Sequence, residues 1–213
     1  MLMEYEEMLR RERIPKRNYK SDTNKVFLVG EILQEFELFE EIENIQFFKS
    51  QINIQRFMSM NVDSIPIMVT KELLQKYSNK KFTGRKVEIV GEIRSYDKDV
   101  EGHIELNVYI YVDEINLEND GKMSNISYLD GYICKEPFFK ITSETHRKAT
   151  ILLVANNRED GSDYIPCIVW GKAALWARHL EVGEHIKLLG IVQSTSWDEK
   201  TVYQISVRKI SLT

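Results

Sequence analysis

Cysteine is scarce in this 213-residue chain. Cys134 and Cys167 are too few and too far apart to make a zinc knuckle or a disulfide framework, and both are expected to serve as small buried hydrophobes. No run approaches the roughly 18 uncharged apolar residues that a membrane-spanning helix requires. The amino terminus, with Glu4, Glu6 and Glu7, lacks the basic start and apolar core of a signal peptide. A cytoplasmic protein without membrane contact is therefore expected. There is no Gly-rich phosphate loop and no Ser or Cys nucleophile motif, and His103, His146, His179 and His185 show no metal-ligand spacing. Paired carboxylates such as Glu40 and Glu41 stand in an acidic run that reads as a hydrated loop. These lacks point away from an enzyme and predict neither cofactor nor metal.

What is present is the composition of a globular protein able to bury real cores: 43% of residues are hydrophobic and 29% charged. The length suits two compact units of about 100 residues each. A formal charge of −4 is unlike the basic footprint of a phosphate binder, but the average hides a division. Residues 1 to 23 hold 6 basic and 5 acidic side chains, 24 to 123 hold 12 and 18, and 124 to 213 hold 11 and 10. The acidity is confined to the middle.

Three short segments recur at an offset of about 100 residues. Val26-Phe27-Leu28-Val29-Gly30-Glu31-Ile32 matches Ser127-Tyr128-Leu129-Asp130-Gly131-Tyr132-Ile133, each a strand-forming run broken by one Gly, the mark of a bulge or sharp bend. Ile65-Pro66-Ile67-Met68-Val69 matches Ile165-Pro166-Cys167-Ile168-Val169, and Gly84, Val87, Gly91 and Ser95 match Gly183, Ile186, Gly190 and Ser194. After the second segment the period changes, predicting short helices at 72–77 and 173–180; in the latter, Ala173, Trp176, Ala177 and Leu180 would share the packed face. Strands four and five are expected at 85–96 and 103–115, and at 184–196 and 201–211. Five strands with a helix after the third is the outline of the OB-fold, a small Greek-key barrel. The sequence thus predicts an all-β chain of two tandem OB-fold barrels at 24–120 and 124–213. They are joined by a polar linker and preceded by an arm at 1–23 with a helix at 2–12 and the basic run Arg13, Lys16, Arg17, Lys20.

The second half carries, in order, Leu129-Asp130-Gly131-Tyr132-Ile133, then Ala149-Thr150-Ile151-Leu152-Leu153-Val154-Ala155-Asn156, then Asp163 through Lys172, then Gly190-Ile191-Val192-Gln193-Ser194-Thr195-Ser196-Trp197. In this combination it resembles the bacterial single-stranded DNA-binding protein family across nearly its full length. The resemblance implies that Tyr164, Trp170 and Trp197 are base-stacking aromatics. It also implies assembly to four OB-folds, which a chain with two would reach as a homodimer. A further aromatic usual in the hairpin after the second strand is replaced here by Asn157-Arg158-Glu159-Asp160-Gly161, and the family's acidic tail, which recruits partners, has no counterpart in Ile210-Ser211-Leu212-Thr213. The first half matches weakly. It has Thr70 for Trp170, Ser64 for Tyr164, and Tyr96 one place before the position of Trp197, with Glu31, Glu35, Glu37, Glu40, Glu41 and Glu43 crowded into its start. Such a field repels phosphate, so loss of nucleic-acid binding or a turn to protein contact is expected there.

Binding single strands without sequence preference needs flat aromatic faces and cations along the backbone. By period two, Tyr164, Pro166, Ile168 and Trp170 lie on one face, and Ile165, Cys167 and Val169 on the barrel interior. Trp197 falls at a hairpin tip, and Arg147, Lys148, Arg158 and Lys172 are candidate phosphate contacts. The competing readings are packing of these aromatics against another barrel or a partner, and ordinary solvated cations. The expected function is binding of single-stranded DNA in replication, recombination or repair. The alternative is an OB-fold protein-interaction module or primosome-type accessory factor with little nucleic-acid binding, and RNA is a further ligand to separate from DNA.

Overall fold

Alternation of β-branched and aliphatic residues with polar ones drives nearly every element of the computed structural model, which describes residues 22–57, 59–100, 102–117, 124–142, 146–159, 161–197 and 200–213. The side chains of 103, 104, 196 and 197 are also outside the description, as are the expected arm up to residue 21 and most of the linker. The described residues gather into two compact units. One comprises Lys25–Ile93 and Tyr109–Ile126; the other comprises 22–24, Arg94–Val108 and 127–213.

The first barrel is built from the strands β1 (Asn24–Ile32), β2 (Glu37–Ile42), β3 (Ile45–Gln55), β4 (Val62–Thr70), β5 (Lys86–Val100) and β6 (His103–Asn116), of which the β5–β6 hairpin within Arg94–Val108 belongs to the other unit. β1 pairs with both β3 and β5, β3 with β4, β4 in parallel with β6, and β6 with β5. The circuit β1-β3-β4-β6-β5-β1 is a closed Greek-key barrel. Leu28, Ile32, Ile52, Ile65, Ile89 and Ile110 fill its interior. Helix α1 (Lys71–Gln75) follows β4, capped where the Leu73 N–H donates to Thr70 Oγ1. The acidic run expected as a hydrated loop instead forms the β2–β3 hairpin, because Glu43 and Asn44 adopt left-handed backbone at its turn (φ 49° and 66°).

The second unit repeats the plan with β7 (Ser124–Ile133), β8 (Phe138–Ile141), β9 (Lys148–Arg158), β10 (Gly161–Trp170), β11 (His185–Trp197) and β12 (Lys200–Leu212), with helix α2 (Lys172–Ala177) after β10. β7 pairs with β9 and β11, β9 with β10, β10 in parallel with β12, and β12 with β11. Leu129, Ile133, Leu152, Ile165, Cys167 and Leu188 are buried inside. Both cysteines are buried, and burial pushes the Cys167 thiol pKa upward. Strand glycines sit where one strand crosses another. A Cβ at Gly131 would strike the Ala155 carbonyl oxygen, and one at Gly91 the Tyr111 carbonyl oxygen.

The packed face of α2 differs from expectation. Ala174, Ala177 and Leu180 are buried, Ala173 is exposed and Trp176 is 42% exposed. The helix ends after six residues in tight turns, with the Leu180 N–H bonded to the Ala177 carbonyl, so the face turned inward follows a three-residue spacing. Thr150 Oγ1 fixes it by donating to the Ala174 carbonyl at 2.7 Å. No helix among the described residues is long and apolar enough to cross a membrane.

Candidate nucleic-acid interface

On β10 the period-two pattern holds on the interior face, where Ile165, Cys167 and Val169 are at most 1% exposed. The opposite face is less open than an outward row implies. Pro166 and Ile168 are buried, and Ile168 joins Cys134, Ala149, Ile151 and Leu153 in a second apolar cluster. Around it pack the partly buried Leu106, Phe138, Ala155, Tyr164, Trp170 and Val202. β9 and β10 are therefore apolar on both faces, with Tyr164 and Trp170 half-buried. Six residues separate these two rings, about 20 Å along an extended strand.

Trp170 is paired with Ala149 across the sheet, and the Gly171 N–H donates to the Lys148 carbonyl at 2.8 Å. This register brings the start of β9 beside the end of β10. The Arg147 guanidinium lies over the Trp170 ring, 4.5 Å from its centroid. Arg147, Lys148 and Lys172 are all exposed. One aromatic face, one stacked guanidinium and two ammonium-bearing stems thus share one end of the strand, the combination that single-strand binding uses.

At the other end of β10 the geometry is set by Asp163, whose side chain is 1% exposed. Its Oδ1 accepts from the Ser95 N–H at 2.7 Å, and its Oδ2 from Arg158 Nε at 3.0 Å and Arg94 Nη1 at 3.3 Å. The Tyr164 N–H donates to Ser95 Oγ at 2.7 Å. Arg158, read from the sequence as a phosphate contact, is thus committed to a buried carboxylate. The first unit has the corresponding pair, with Arg56 bidentate on Asp63 at 2.7 and 2.9 Å, so an Arg–Asp clamp at this hairpin belongs to the repeat. Trp197 ends β11 opposite Lys200, and its side chain lies outside the described residues.

Sequence reasoning passed over Leu106, Phe138, Arg94 and Ser95. Phe138 sits in an aromatic pair, Phe138-Phe139, which was a readable signal. The other three lie on the β5–β6 hairpin, far away in sequence; Ser95 stood out only as a repeat position, and nothing local tied it to Asp163. In the first unit the positions matching Tyr164 and Trp170 do other work: Ser64 Oγ donates to Gln51 Oε1 and Thr70 caps α1. Exposed Glu37, Glu40, Glu41 and Glu43 line that unit's β2–β3 hairpin.

A separate cluster joins Asp22, Asp130 and His185, whose ligand-type atoms all lie within 4.8 Å of one another. Burial raises the pKa of the Asp22 carboxyl, opposed by the hydrogen bond it accepts from the Asn157 N–H.

No protein-family model and no curated protein matches the sequence. Among solved structures, the wild-type single-stranded DNA binding protein from Thermus aquaticus matches with a TM-score of 0.75 at 14% identity, over 91% of this chain and 94% of that one. A deletion variant of the same protein gives 0.77 at 15% identity, over 91% and 95%. The match spans both repeats, and the chain shares the tandem OB-type fold of that protein.

Proposed function

We propose that this protein binds single-stranded DNA without sequence preference through the second unit. Trp170 and Tyr164 would offer stacking faces, with Trp197 at the hairpin tip, while Arg147, Lys148 and Lys172 neutralise phosphates. The observation that carries the reading is the end of β10, where a half-buried Trp170 and three exposed cations converge on an OB-fold surface. Arg158 is left out of the phosphate set because Asp163 holds it. The shared fold with a protein that binds single-stranded DNA supports the ligand class. A non-catalytic, cytoplasmic role in replication, recombination or repair follows, with two chains supplying four OB-folds.

The test is fluorescence titration with oligo-dT at low and moderate salt. Wild type is expected to show saturable quenching that weakens with salt. Trp170→Ala removes one stacking face, about 1 to 3 kcal/mol, so affinity should fall by about 5- to 150-fold. Trp170→Phe should retain much of it, and competition by oligo-U separates DNA from RNA. Absence of quenching by wild type at low salt would refute the reading.

A second reading applies to the first unit, where Leu38 and Ile42 are 57% and 51% exposed on the strand that carries the exposed Glu37, Glu40 and Glu41. Apolar side chains held out among carboxylates suit protein contact rather than phosphate. Sedimentation equilibrium of Leu38→Lys/Ile42→Lys against wild type tests whether the partner is a second copy: a dimer that becomes a 25.1 kDa monomer supports self-association.

A further inference from the structure

Asp22, Asp130 and His185 are distant in sequence and meet at one point of the second unit, where the chain entering β1 lies beside β7 and β11. His185 Nε2 is 3.8 Å from Asp22 Oδ1 and 4.0 Å from Asp130 Oδ1. This nitrogen is itself buried and has no hydrogen-bond partner among the described residues, while the side chain as a whole is 25% exposed. An imidazole serving only as an ion-pair partner would close to hydrogen-bond distance on one carboxylate. Here the nitrogen stands nearly equidistant from two, as ligands do around a shared centre. The separations leave a central point roughly 2.5 Å from each atom, and contraction of a few tenths of an ångström reaches the about 2.0–2.2 Å of zinc–nitrogen and zinc–oxygen bonds.

The surroundings hold the three groups in place. Asp22 Oδ2 accepts from the Asn157 N–H at 2.8 Å and from Asn157 Nδ2 at 2.9 Å, which leaves Oδ1 directed at the cluster. Asp130 Oδ1 accepts from the Thr23 N–H at 2.6 Å. The His185 ring is stacked on Tyr132, centroids 4.5 Å apart and planes 27° apart, which fixes its orientation. Such outer contacts orient ligands in metal sites. The neighbouring backbone is tied as well: the Asp22 N–H donates to the Asn157 carbonyl at 2.7 Å, the Asp130 N–H to the Thr23 carbonyl at 2.9 Å, and Asn156 Nδ2 to the Thr23 carbonyl at 3.1 Å.

We infer that Asp22, Asp130 and His185 form a binding site for a divalent first-row transition ion, of which Zn²⁺ is the best fit. One imidazole nitrogen and two carboxylate oxygens are donors that zinc accepts, whereas Mg²⁺ prefers an all-oxygen set. The ion's role is structural. It fastens Asp22–Asn24 to β7 and β11 and places a cation between two carboxylates that otherwise face each other.

The test uses the full chain, stripped with chelator and dialysed against micromolar ZnCl₂ in the presence of millimolar MgCl₂, with bound metal measured by mass spectrometry. One zinc per chain and a melting temperature that rises with zinc are expected. Asp22→Asn and His185→Gln, confirmed folded by circular dichroism, should each weaken zinc binding by about tenfold or more. Should either variant fold poorly, loss of the free Mn²⁺ electron paramagnetic resonance signal on titrating wild type, reversed by zinc, reads the site independently. No bound zinc in wild type, no uptake of Mn²⁺, or equal zinc binding in wild type and both variants overturns the site.

Discussion

Replacing Asp163 by Asn should loosen the second unit at its buried Arg–Asp clamp. The carboxylate is buried and accepts three hydrogen bonds, from the Ser95 N–H, Arg94 and Arg158. Asn keeps an acceptor for the Ser95 N–H but turns its amide donors toward two guanidinium groups. Each charge-assisted bond is worth about 1.5–3 kcal/mol. The arginine side chains are 21% and 32% exposed, so water recovers part of that loss. A net cost of about 2–4 kcal/mol results, which at an m-value of about 2 kcal/mol/M lowers the urea midpoint by roughly 1–2 M. The assay is urea unfolding followed by tryptophan emission, because Trp170, Trp176 and Trp197 all belong to the second unit and report on it selectively. In the Asp163→Asn background, Arg158→Ala should add little, since its partner is already lost. A midpoint unchanged within error would refute the clamp.

Gly131→Ala should lower the melting temperature by about 2–12 °C: its methyl meets backbone at Ala155, and overpacking costs about 1–3 kcal/mol, each worth about 2–4 °C in a chain of this length. An unchanged melting temperature would contradict the close strand crossing. Glu35 Oε1 accepts from the Thr83 N–H, the Thr83 hydroxyl and the Phe82 N–H, and the Thr83 backbone bond leads in holding its pKa below the ordinary 4.5. The stability it lends is present above pH 4.5 and is lost as pH falls through the lowered folded value. Wild type should therefore lose more stability than Glu35→Gln between pH 4.5 and lower pH, and parallel curves would remove the contribution. Arg147→Ala should weaken oligo-dT binding and reduce the salt slope by about one contact, measured by titration at several salt concentrations; an unaltered slope would assign Arg147 to packing on Trp170 alone.

The two-fold repeat, the barrels and the helices after β4 and β10 were legible in the sequence because strand periodicity and strand glycines are local signals, whereas the short strands β2 and β8 were not foreseen. Ile165, Cys167 and Val169 alternate into the core as their spacing requires, and Gly131 stands where only a missing side chain lets strands cross. Local pattern also singled out Trp170 with Arg147, Lys148 and Lys172, which the register of β9 and β10 gathers. It did not say what covers the other face of a strand. That Ile168 is buried depends on a cluster completed by Phe138 and Leu106, contributed from other parts of the chain. The same limit hid the fate of Arg158, since a cation in a turn reads as solvated until a buried carboxylate such as Asp163 is placed beside it. It hid the meeting of Asp22, Asp130 and His185 as well. The sequence by itself determined which residues face inward and where strands bend, because those follow from backbone geometry between neighbours. Only the tertiary structure decided which polar groups are spent on each other and which remain for a ligand, because that depends on contacts between residues far apart in the chain.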